Sequence, residues 1–392
     1  MTVSLRLPGA GRLSPQFDPW DPWPIRKKHK KHQLTSVEFT VTHRCNMRCA
    51  HCAVGDTLTQ ADGQAIPLAL VLERLAEVET LQTISITGGE PSFAGDLVDQ
   101  WMIPLLDWTQ KRGILSQMNS NLTMPLKRYE AFLDVLDVMH ITYNYENAFD
   151  FWQIGFEKAT HEVPLEAATK LFDQLCENAI HLSERGMFVS AESMINYRTH
   201  ERIGHIHRQI LELGVRRHEV HPMYPSDFAS NLPKLTMDET RAAVHRLLDE
   251  RDPNLWLLFG TLPFFACNDN AQDWSLIRRL ASSPNVTVRN DPDGRNRLNV
   301  DIFTGDVYVT DFAAVPSLGN IFHDRLDEVF ARWQQHSIQR LVDCACEVAD
   351  CCGPNLIVRD MYYPTTDFQK RSAHLEACHL DNILADSYGT KR

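Results

Sequence analysis

Short β-type runs alternate with helix-type stretches between residues 36 and 221, and this alternation limits the fold more than any other feature. Apolar residues recur at helical spacing between the runs, as in the stretch from Leu68 to Val78. Repeated β/α units predict a parallel sheet, and an active site is expected at the carboxyl edge of such a sheet. Six strands are predicted: Ser36–Thr42, Thr83–Thr87, Ile114–Asn119, Val138–Asn144, Met187–Ile195 and Arg216–His221.

The composition excludes several kinds of protein. The chain has 392 residues, of which 43% are hydrophobic and 23% charged, as in a soluble globular enzyme. Its formal charge of -12 argues against binding to nucleic acid, which calls for a broad basic surface. The longest apolar stretch, Leu255 to Ala266, is too short to cross a bilayer, and the N-terminus lacks the features of a signal peptide. We expect a cytoplasmic protein with no nucleic-acid or membrane partner.

The β/α alternation fades beyond Pro225, where Pro, Asn and Asp become frequent. A hairpin is predicted from Leu298 to Val309, turning at Thr304-Gly305-Asp306. Near the N-terminus the basic run Arg26–His32 is interpreted as a solvated segment, with a local anion contact as the alternative. Three parts are predicted: an N-terminal arm (1–34), a β/α unit (35–230) and a smaller second domain (231–392).

Three cysteines follow the first predicted strand in the stretch RCNMRCAHC, where Cys45, Cys49 and Cys52 are spaced C-x3-C-x2-C. Thiolates on a tight loop at this spacing can hold three corners of a [4Fe–4S] cube and leave one iron without a protein ligand. An open iron of this kind is a binding position. The alternatives are a zinc site completed by His43 or His51, and an exposed group of thiols without function.

Gly88-Gly89-Glu90-Pro91 follows the second predicted strand, at the same expected edge of the sheet. Two glycines allow the backbone to approach a ligand closely, and a carboxylate beside them can accept hydrogen bonds from an ammonium group. Alone, this segment also fits a plain turn. Its position one β/α unit after the cysteine triplet favours a shared site.

These two motifs, in this order, resemble those of the radical S-adenosylmethionine (SAM) enzymes, and the resemblance covers residues 35–225. It implies an α/β fold, a partial (β/α)6 barrel whose cysteine triplet holds a [4Fe–4S] cluster. The amino and carboxylate groups of SAM would chelate the fourth iron, with the Gly-Gly-Glu segment holding the methionine amino group. The residues that the resemblance assigns to SAM are His51, Gly88, Gly89, Glu90, Asn121, Thr142, Glu192 and Asn196.

Several of these positions match the family less closely. His51 stands before the third cysteine, where the family usually carries an aromatic residue close to the adenine. The segment 120–123 looks like the family's Thr-Asn-Gly-Thr stretch, with Leu122 in place of the glycine, which leaves the backbone conformation there open. Thr142 falls where many members have a serine that contacts SAM. For Asn121, Thr142, Glu192 and Asn196 the alternative is ordinary hydrogen bonding at strand ends.

A second group of cysteines lies near the C-terminus, at residues 344, 346, 351 and 352, followed by Gly-Pro. Metal binding is the favoured interpretation, with an auxiliary iron–sulfur cluster ahead of zinc; a redox-active dithiol is the alternative. Cys344, Cys346 and Cys351 are the predicted ligands. The candidates for the fourth ligand are Cys267, taken first because related enzymes draw one ligand from the start of the cluster domain, and then Cys352 or Cys378.

The C-x-C-x4-C spacing of residues 344, 346 and 351 is similar to that of a radical SAM subgroup named for a CxCxxxxC motif (YfkAB-like). The resemblance then covers nearly the whole chain. In related cluster-binding extensions a cysteine is expected where residues 309–311 read Val-Thr-Asp here, and its absence favours one auxiliary cluster over two. The resemblance implies a smaller C-terminal α+β domain that binds this auxiliary cluster.

Three classes of function stay open. A radical SAM enzyme acting on a peptide or protein is slightly preferred, because C-terminal cluster domains often accompany peptide-modifying members. Against it, the N-terminal arm is too short for the winged helix that often recognises precursor peptides. The alternatives are a radical SAM enzyme acting on a small metabolite and a non-catalytic iron–sulfur redox carrier. An electron donor such as flavodoxin or ferredoxin is an expected partner.

Overall fold

The computed structural model describes residues 9–52, 55, 58, 61–225, 229–290, 292–310, 315–344, 346 and 351–373. Within these ranges eleven strands form one sheet: β1 (Ser36–Thr40), β2 (Thr83–Thr87), β3 (Leu115–Ser120), β4 (Val138–Thr142), β5 (Phe188–Ile195), β6 (Arg217–Pro222), β7 (Trp256–Gly260), β8 (Val286–Arg289), β9 (Arg297–Asp301), β10 (Asp306–Tyr308) and β11 (Gly319–Asn320). The helices in the same ranges are α1 (Trp23–His29), α2 (Leu68–Ala76), α3 (Ile103–Gln110), α4 (Leu126–Glu130), α5 (Ala148–Gly155), α6 (Leu165–Glu184), α7 (Ile203–Glu212), α8 (Met237–Glu250), α9 (Ala271–Ser282), α10 (Leu326–Gln334), α11 (Leu356–Tyr362) and α12 (Phe368–Ala373).

The strands follow the order β11-β10-β9-β1-β2-β3-β4-β5-β6-β7-β8. Every neighbouring pair from β9 to β8 in this order is parallel, whereas β10 is antiparallel to both β9 and β11. The edge strands β8 and β11 do not pair with each other, so the sheet is open. The predicted α/β class with an incomplete parallel barrel is therefore confirmed, and the carboxyl ends of β1 to β9 lie at one edge.

The prediction that the alternation fades after Pro225 was wrong, because α8, β7, α9 and β8 continue it. All five residues of β7, WLLFG, are buried. A strand covered on both faces reads as a continuous apolar run, which periodicity alone does not distinguish from other buried segments. The region after residue 230 thus extends the sheet beyond β6.

The predicted hairpin is confirmed, since β9 and β10 pair with Val300 opposite Val307. However, β9 also pairs in parallel with β1, with Leu298 beside Val37. The C-terminal region therefore builds both edges of the sheet that the N-terminal repeats begin. The domain boundary near residue 230 stays a prediction.

The core follows this arrangement. One large apolar cluster joins the barrel strands and α2, α3 and α6 to β9, β10 and α10, where Trp333 is fully buried. A second cluster lies around β7, between α8 and α9, and includes Val244, Leu257 and Leu276. Both clusters pack against the sheet, and the first reaches its carboxyl edge at Met47 and Leu122. No helix in the described ranges has the length and apolarity needed to span a bilayer.

The N-terminal arm packs along the sheet rather than extending into solvent. The Trp20 indole donates to Ser85 Oγ (3.3 Å), and the Trp20 carbonyl accepts from Asn296 Nδ2 (3.1 Å). Asp18 pairs with Arg289 at the end of β8 (2.8 Å). The arm therefore connects β2 with β8 and with the residue that precedes β9.

Candidate functional site

The triplet loop, defined here as residues 41–52, leaves the carboxyl end of β1 and packs against α5. The amide of Arg48 donates to the Gly155 carbonyl (2.9 Å), and that of Ala50 donates to the Ile154 carbonyl (3.0 Å). The Arg48 guanidinium turns back onto the loop and donates to the Cys45 carbonyl (3.0 Å). These contacts fix the loop that carries the three predicted cluster cysteines.

The three thiols of this loop have the chemistry that an iron–sulfur cluster needs. Burial raises the pKa of Cys45 to about 12 and also raises that of Cys49 well above its usual value, so a thiolate at either position requires a bound cation. Within the described ranges, no three His, Cys, Asp or Glu side chains converge on the position of a single metal ion. A zinc ion would need four such ligands about 2.0–2.3 Å away. Three cysteines on one loop fit three corners of a [4Fe–4S] cluster.

Gly88 and Gly89 bring the end of β2 directly against the triplet loop. The Gly89 amide donates to the Thr42 carbonyl (2.8 Å), and the Glu90 amide donates to the Arg44 carbonyl (2.9 Å). A Cβ atom on Gly89 would lie 2.2 Å from the Arg44 carbonyl oxygen, and one on Gly88 would lie 2.4 Å from that of Thr42. Gly88 also has φ +148°, which side chains disfavour. Glycine is thus required for this backbone contact.

The Glu90 carboxylate is fully buried and faces the protein. It accepts hydrogen bonds from the amide and hydroxyl of Ser92 (3.1 and 2.5 Å), from Ser120 Oγ (2.9 and 3.0 Å) and from the Asn121 amide (2.8 Å). Burial raises its pKa, although these hydrogen bonds oppose the shift. Glu90 therefore links the ends of β2 and β3. Its assignment to the SAM amino group stays a prediction.

Asn121 and Leu122 follow β3, and Asn121 contacts the triplet loop from the other side. Asn121 Nδ2 donates to Asn46 Oδ1 (2.9 Å) and lies 3.7 Å from Cys45 Sγ. Leu122 has φ +55° and is fully buried. The residue in the family's glycine position therefore keeps a left-handed backbone without being glycine, which answers the question that the sequence left open.

Thr142, Glu192 and His51 lie on the next part of this edge. Thr142 ends β4 and pairs in register with Glu192 on β5. Glu192 Oε2 is 3.2 Å from His140 Nε2; burial raises the pKa of Glu192, but the hydrogen bond with His140 and the nearby His221 lower it overall. Burial lowers the pKa of His51 to about 4, partly offset by Glu192. Thr142 and Glu192 therefore belong to a polar wall close to His51 of the triplet loop.

Asn196 behaves differently from the other predicted residues. Its side-chain oxygen accepts from the amides of Arg198 (2.8 Å) and Thr199 (3.1 Å), and its exposed fraction is 3%. This pattern is typical of a side chain that caps a turn. A role toward SAM stays a prediction for Asn196, whose carbonyl oxygen is already used.

Sequence reasoning missed a second pair on the same wall. His221 Nε2 is 2.9 Å from Glu219 Oε1, and Glu219 also pairs with Arg289. Gly260 on β7 makes room for the imidazole, because a Cβ there would lie 1.9 Å from His221 Cε1. Residues 217, 219 and 221 share one face of β6, so the alternation Arg-x-Glu-x-His was an available signal.

The C-terminal cysteine group, defined here as Cys267, Cys344, Cys346 and Cys351, is gathered from distant parts of the chain. Cys267 and Cys351 pack in the same apolar cluster with Phe265 and Phe368. Burial is the main cause that raises the pKa of Cys267, and the nearby thiols of Cys351 and Cys344 raise it further. The Cys346 amide donates to Cys344 Sγ (3.4 Å). The structure thus brings the four predicted ligands into one neighbourhood.

Of the two other candidates for the fourth ligand, the structure describes only Cys352. Cys352 is buried, and the groups that shift its pKa after burial are Cys351, Asp21, Arg295 and Arg26. Cys378 lies outside the described residues.

Comparison with known proteins gives consistent results. The profile of the radical SAM superfamily matches residues 39–209, and that of the YfkB-like domain matches residues 223–373. The putative protein YfkA of Bacillus subtilis (strain 168) is 49% identical over 362 residues, which are 92% of this chain and 97% of that protein.

Two solved structures have a similar fold. Native anSMEcpe with bound AdoMet has a TM-score of 0.61 at 12% identity, covering 91% of this chain and 100% of the other. Streptococcus suis SuiB bound to S-adenosylmethionine has a TM-score of 0.59 at 14% identity, covering 90% and 80%. At these identities the likeness is one of fold.

An open parallel sheet with a cysteine triplet and a Gly-Gly-Glu segment at its carboxyl edge defines the class of radical SAM proteins, and this chain belongs to that superfamily. The full-length match to YfkA and the YfkB-like region place it in the YfkAB-like subgroup. Membership implies a [4Fe–4S] cluster that works with SAM, and the donor set of the triplet loop fits such a cluster.

Proposed function

We propose that this chain cleaves SAM reductively at a [4Fe–4S] cluster held by Cys45, Cys49 and Cys52, and so removes hydrogen from a peptide or protein. The observation that carries the proposal is the backbone contact of Gly89 with Thr42 and Arg44, because it joins the triplet loop to the proposed SAM segment in one site. When bound, the cluster supplies the electron, and SAM supplies the 5′-deoxyadenosyl radical.

The side chains around this cofactor would bind and orient it. The backbone of Gly88 to Glu90 would accept from the methionine amino group, while the Glu90 carboxylate fixes that backbone from behind. His51 is held neutral by burial, which suits a contact with the uncharged adenine. Thr142 and Glu192 would offer hydrogen bonds on the neighbouring strands.

A peptide or protein substrate is supported by the fold neighbours. Streptococcus suis SuiB has been solved with its precursor peptide SuiA, and anSMEcpe with the Cp18Cys peptide. Both share this fold over about nine-tenths of the present chain. The substrate would approach the carboxyl edge of the sheet, where the polar wall lies.

A small metabolite is the second candidate, and the wall itself favours it. His140, Glu192, Glu219 and His221 place two carboxylate–imidazole pairs inside the sheet. Such groups can bind a small polar molecule on several sides at once. A non-catalytic redox carrier would need neither this wall nor a SAM segment.

We also propose that the C-terminal cysteine group holds one auxiliary iron–sulfur cluster. Four cysteine thiols are the donor set that such clusters use. Cys267 is preferred over Cys352 as the fourth ligand because it neighbours both Cys351 and Cys344. Flavodoxin or ferredoxin is the expected electron donor.

Anaerobically reconstituted protein should release 5′-deoxyadenosine from SAM on reduction, and the Cys45/Cys49/Cys52→Ala variant should not. Absence of the product from a correctly loaded chain would refute the enzyme and leave the redox carrier. The substrate class is then tested with deuterated cell extract, divided by dialysis into macromolecular and small-molecule fractions. Deuterium reaching 5′-deoxyadenosine from the macromolecular fraction supports a peptide or protein, and deuterium from the other fraction supports a metabolite.

A further inference from the structure

Arg26, in the short helix α1, reaches the backbone of the C-terminal cysteine group. Its guanidinium donates to the carbonyls of Cys346 (2.8 Å), Cys351 (2.9 Å) and Cys344 (3.2 Å). These contacts join residues more than three hundred positions apart. The sequence-based interpretation of Arg26–His32 as a solvated segment was therefore wrong at this residue.

The geometry of the guanidinium explains why one residue can hold three carbonyls. Arginine presents five N–H donors in a rigid planar fork and keeps its charge at any physiological pH. Three carbonyl oxygens brought to one side of a loop repel each other unless a cation lies between them. Lysine is a single flexible point charge, so it replaces the charge but not this fixed set of donors.

The other side of the cysteine group has the opposite polarity. The Cys346 amide donates to Cys344 Sγ (3.4 Å), and the Gly353 amide donates to Cys351 Sγ (3.3 Å). Amide hydrogen bonds to cysteine sulfur tune the potential of iron–sulfur clusters, and they require a defined loop conformation. Carbonyls thus face Arg26 while amides face the thiols.

We propose that Arg26 is a positioning residue for the auxiliary cluster: its guanidinium holds the backbone of Cys344, Cys346 and Cys351 so that their thiols face a common cluster. This role rests on the proposed auxiliary cluster. The arm is suited to it because Trp20 and Asp18 fix its course on the sheet, and Trp23 lies under the guanidinium, 5.5 Å from ring centre to Cζ. Arg26 therefore links the C-terminal cysteine group to the arm that is fixed on the sheet.

The test uses the full chain carrying Cys45/Cys49/Cys52→Ala, in which any iron belongs to the C-terminal group. R26K and R26Q are compared with K28Q, which removes a charge from an exposed position of the same helix. Iron and sulfide content, the electron paramagnetic resonance spectrum and the reduction potential are measured after anaerobic reconstitution. Loss of an outer hydrogen-bonding partner commonly costs about tenfold or more in metal affinity.

We expect K28Q to match its parent, while R26K and R26Q hold less than about half of the parent's iron. In the iron that remains, R26Q should shift the potential to more negative values, because a positive charge beside the reduced cluster is gone, and R26K should shift it less. The same substitutions in the chain with an intact triplet should leave that cluster and SAM binding in place.

Three outcomes would overturn the proposal, and each is distinct. If the triplet variant holds no iron, the auxiliary cluster itself is wrong. If it holds iron and R26K and R26Q match it in content, spectrum and potential, only the role of Arg26 is wrong. If both substitutions also remove the intact triplet's cluster, Arg26 supports the fold in general and not this group.

Discussion

The triplet loop and the C-terminal cysteine group present thiols in opposite ways. The triplet loop takes all three cysteines from twelve consecutive residues and is backed by the glycines at the end of the neighbouring strand. The C-terminal group collects its cysteines from two distant segments and is held by an arginine of the N-terminal arm. The first site depends on local backbone packing, and the second depends on contacts across the whole chain.

This difference explains why the two sites suit different tasks. In the two proposed clusters, three cysteines would leave one iron for SAM, whereas four cysteines would saturate the auxiliary cluster. A cluster whose irons all have protein ligands has no open position for SAM, and this suits electron transfer. The most sensitive position is therefore Gly89 for the triplet site and Cys267 for the C-terminal cysteine group.

Gly89→Ala should have the largest effect. Its Cβ would lie 2.2 Å from the Arg44 carbonyl oxygen and 3.0 Å from the Cys45 amide nitrogen, so the triplet loop must move. We expect loss of the triplet cluster and a decrease in the free energy of unfolding of about 3 kcal/mol or more. Iron content and thermal unfolding measure the two effects, while the iron of the C-terminal group should remain.

Gly63→Ala is the matched control, because a Cβ there meets its nearest neighbour, Phe303 Cβ, at an ordinary 3.4 Å. It should keep both clusters. A Gly89→Ala chain with a full complement of iron would show that the close approach at the end of β2 is not what holds the triplet loop.

Cys267→Ser tests the second site in the same way. If both clusters are [4Fe–4S], iron should fall from about eight to about four atoms per chain, with SAM cleavage at the triplet retained. Cys176→Ser is the control, since Cys176 lies on α6 and belongs to neither group. A loss of iron in Cys352→Ser rather than in Cys267→Ser would transfer the fourth position to Cys352.

The contrast also shows what the sequence could reveal. The spacing of Cys45, Cys49 and Cys52 is local, and so is the Gly-Gly-Glu segment, so both were recognisable and the fold class followed from them. The parallel pairing of β9 with β1 and the contacts of Arg26 join residues hundreds of positions apart, and no local pattern records them. The strand β7 was missed because burial on both faces removes its alternation.

Leu122→Gly should separate stability from cluster binding. The substitution removes a fully buried side chain, at a cost of about 3 kcal/mol, but it relieves the left-handed backbone at φ +55° by about 1 kcal/mol. We expect a net loss of about 2 kcal/mol in denaturant unfolding with the triplet cluster retained. Leu136→Gly, buried at an ordinary backbone angle, should cost about 1 kcal/mol more. Equal losses would mean that Leu122 carries no backbone strain.

Acid should destabilise the sheet around β5 and β6, whereas Arg26 beside the C-terminal cysteine group keeps its charge. His207 on α7 and His218 on β6 belong to one chain of hydrogen bonds. The Asp252 amide donates to His207 Nε2 (3.2 Å), and the Nδ1 atoms of the two histidines are 2.8 Å apart. His218 Nε2 lies 2.9 Å from Ser193 Oγ. The Ser193 hydroxyl donates to the Tyr143 carbonyl. This order requires both imidazoles to be neutral. Burial lowers the pKa of His207 to about 4 and also lowers that of His218 well below its usual value.

The sign of the pH effect follows from these pKa values. Between about pH 6.5 and pH 4 the unfolded chain takes up protons on both histidines and the folded chain does not, so stability falls as the pH decreases. From pH 7 to pH 5.5 we expect a loss of about 1 kcal/mol for each histidine. Thermal unfolding of the parent and of His207→Gln/His218→Gln at the two pH values measures it, and the double variant should lose about 2 kcal/mol less on acidification than the parent. His205→Gln, at an exposed position of the same helix, should behave like the parent. If the double variant loses as much stability on acidification as the parent, the acid response arises at other groups than His207 and His218.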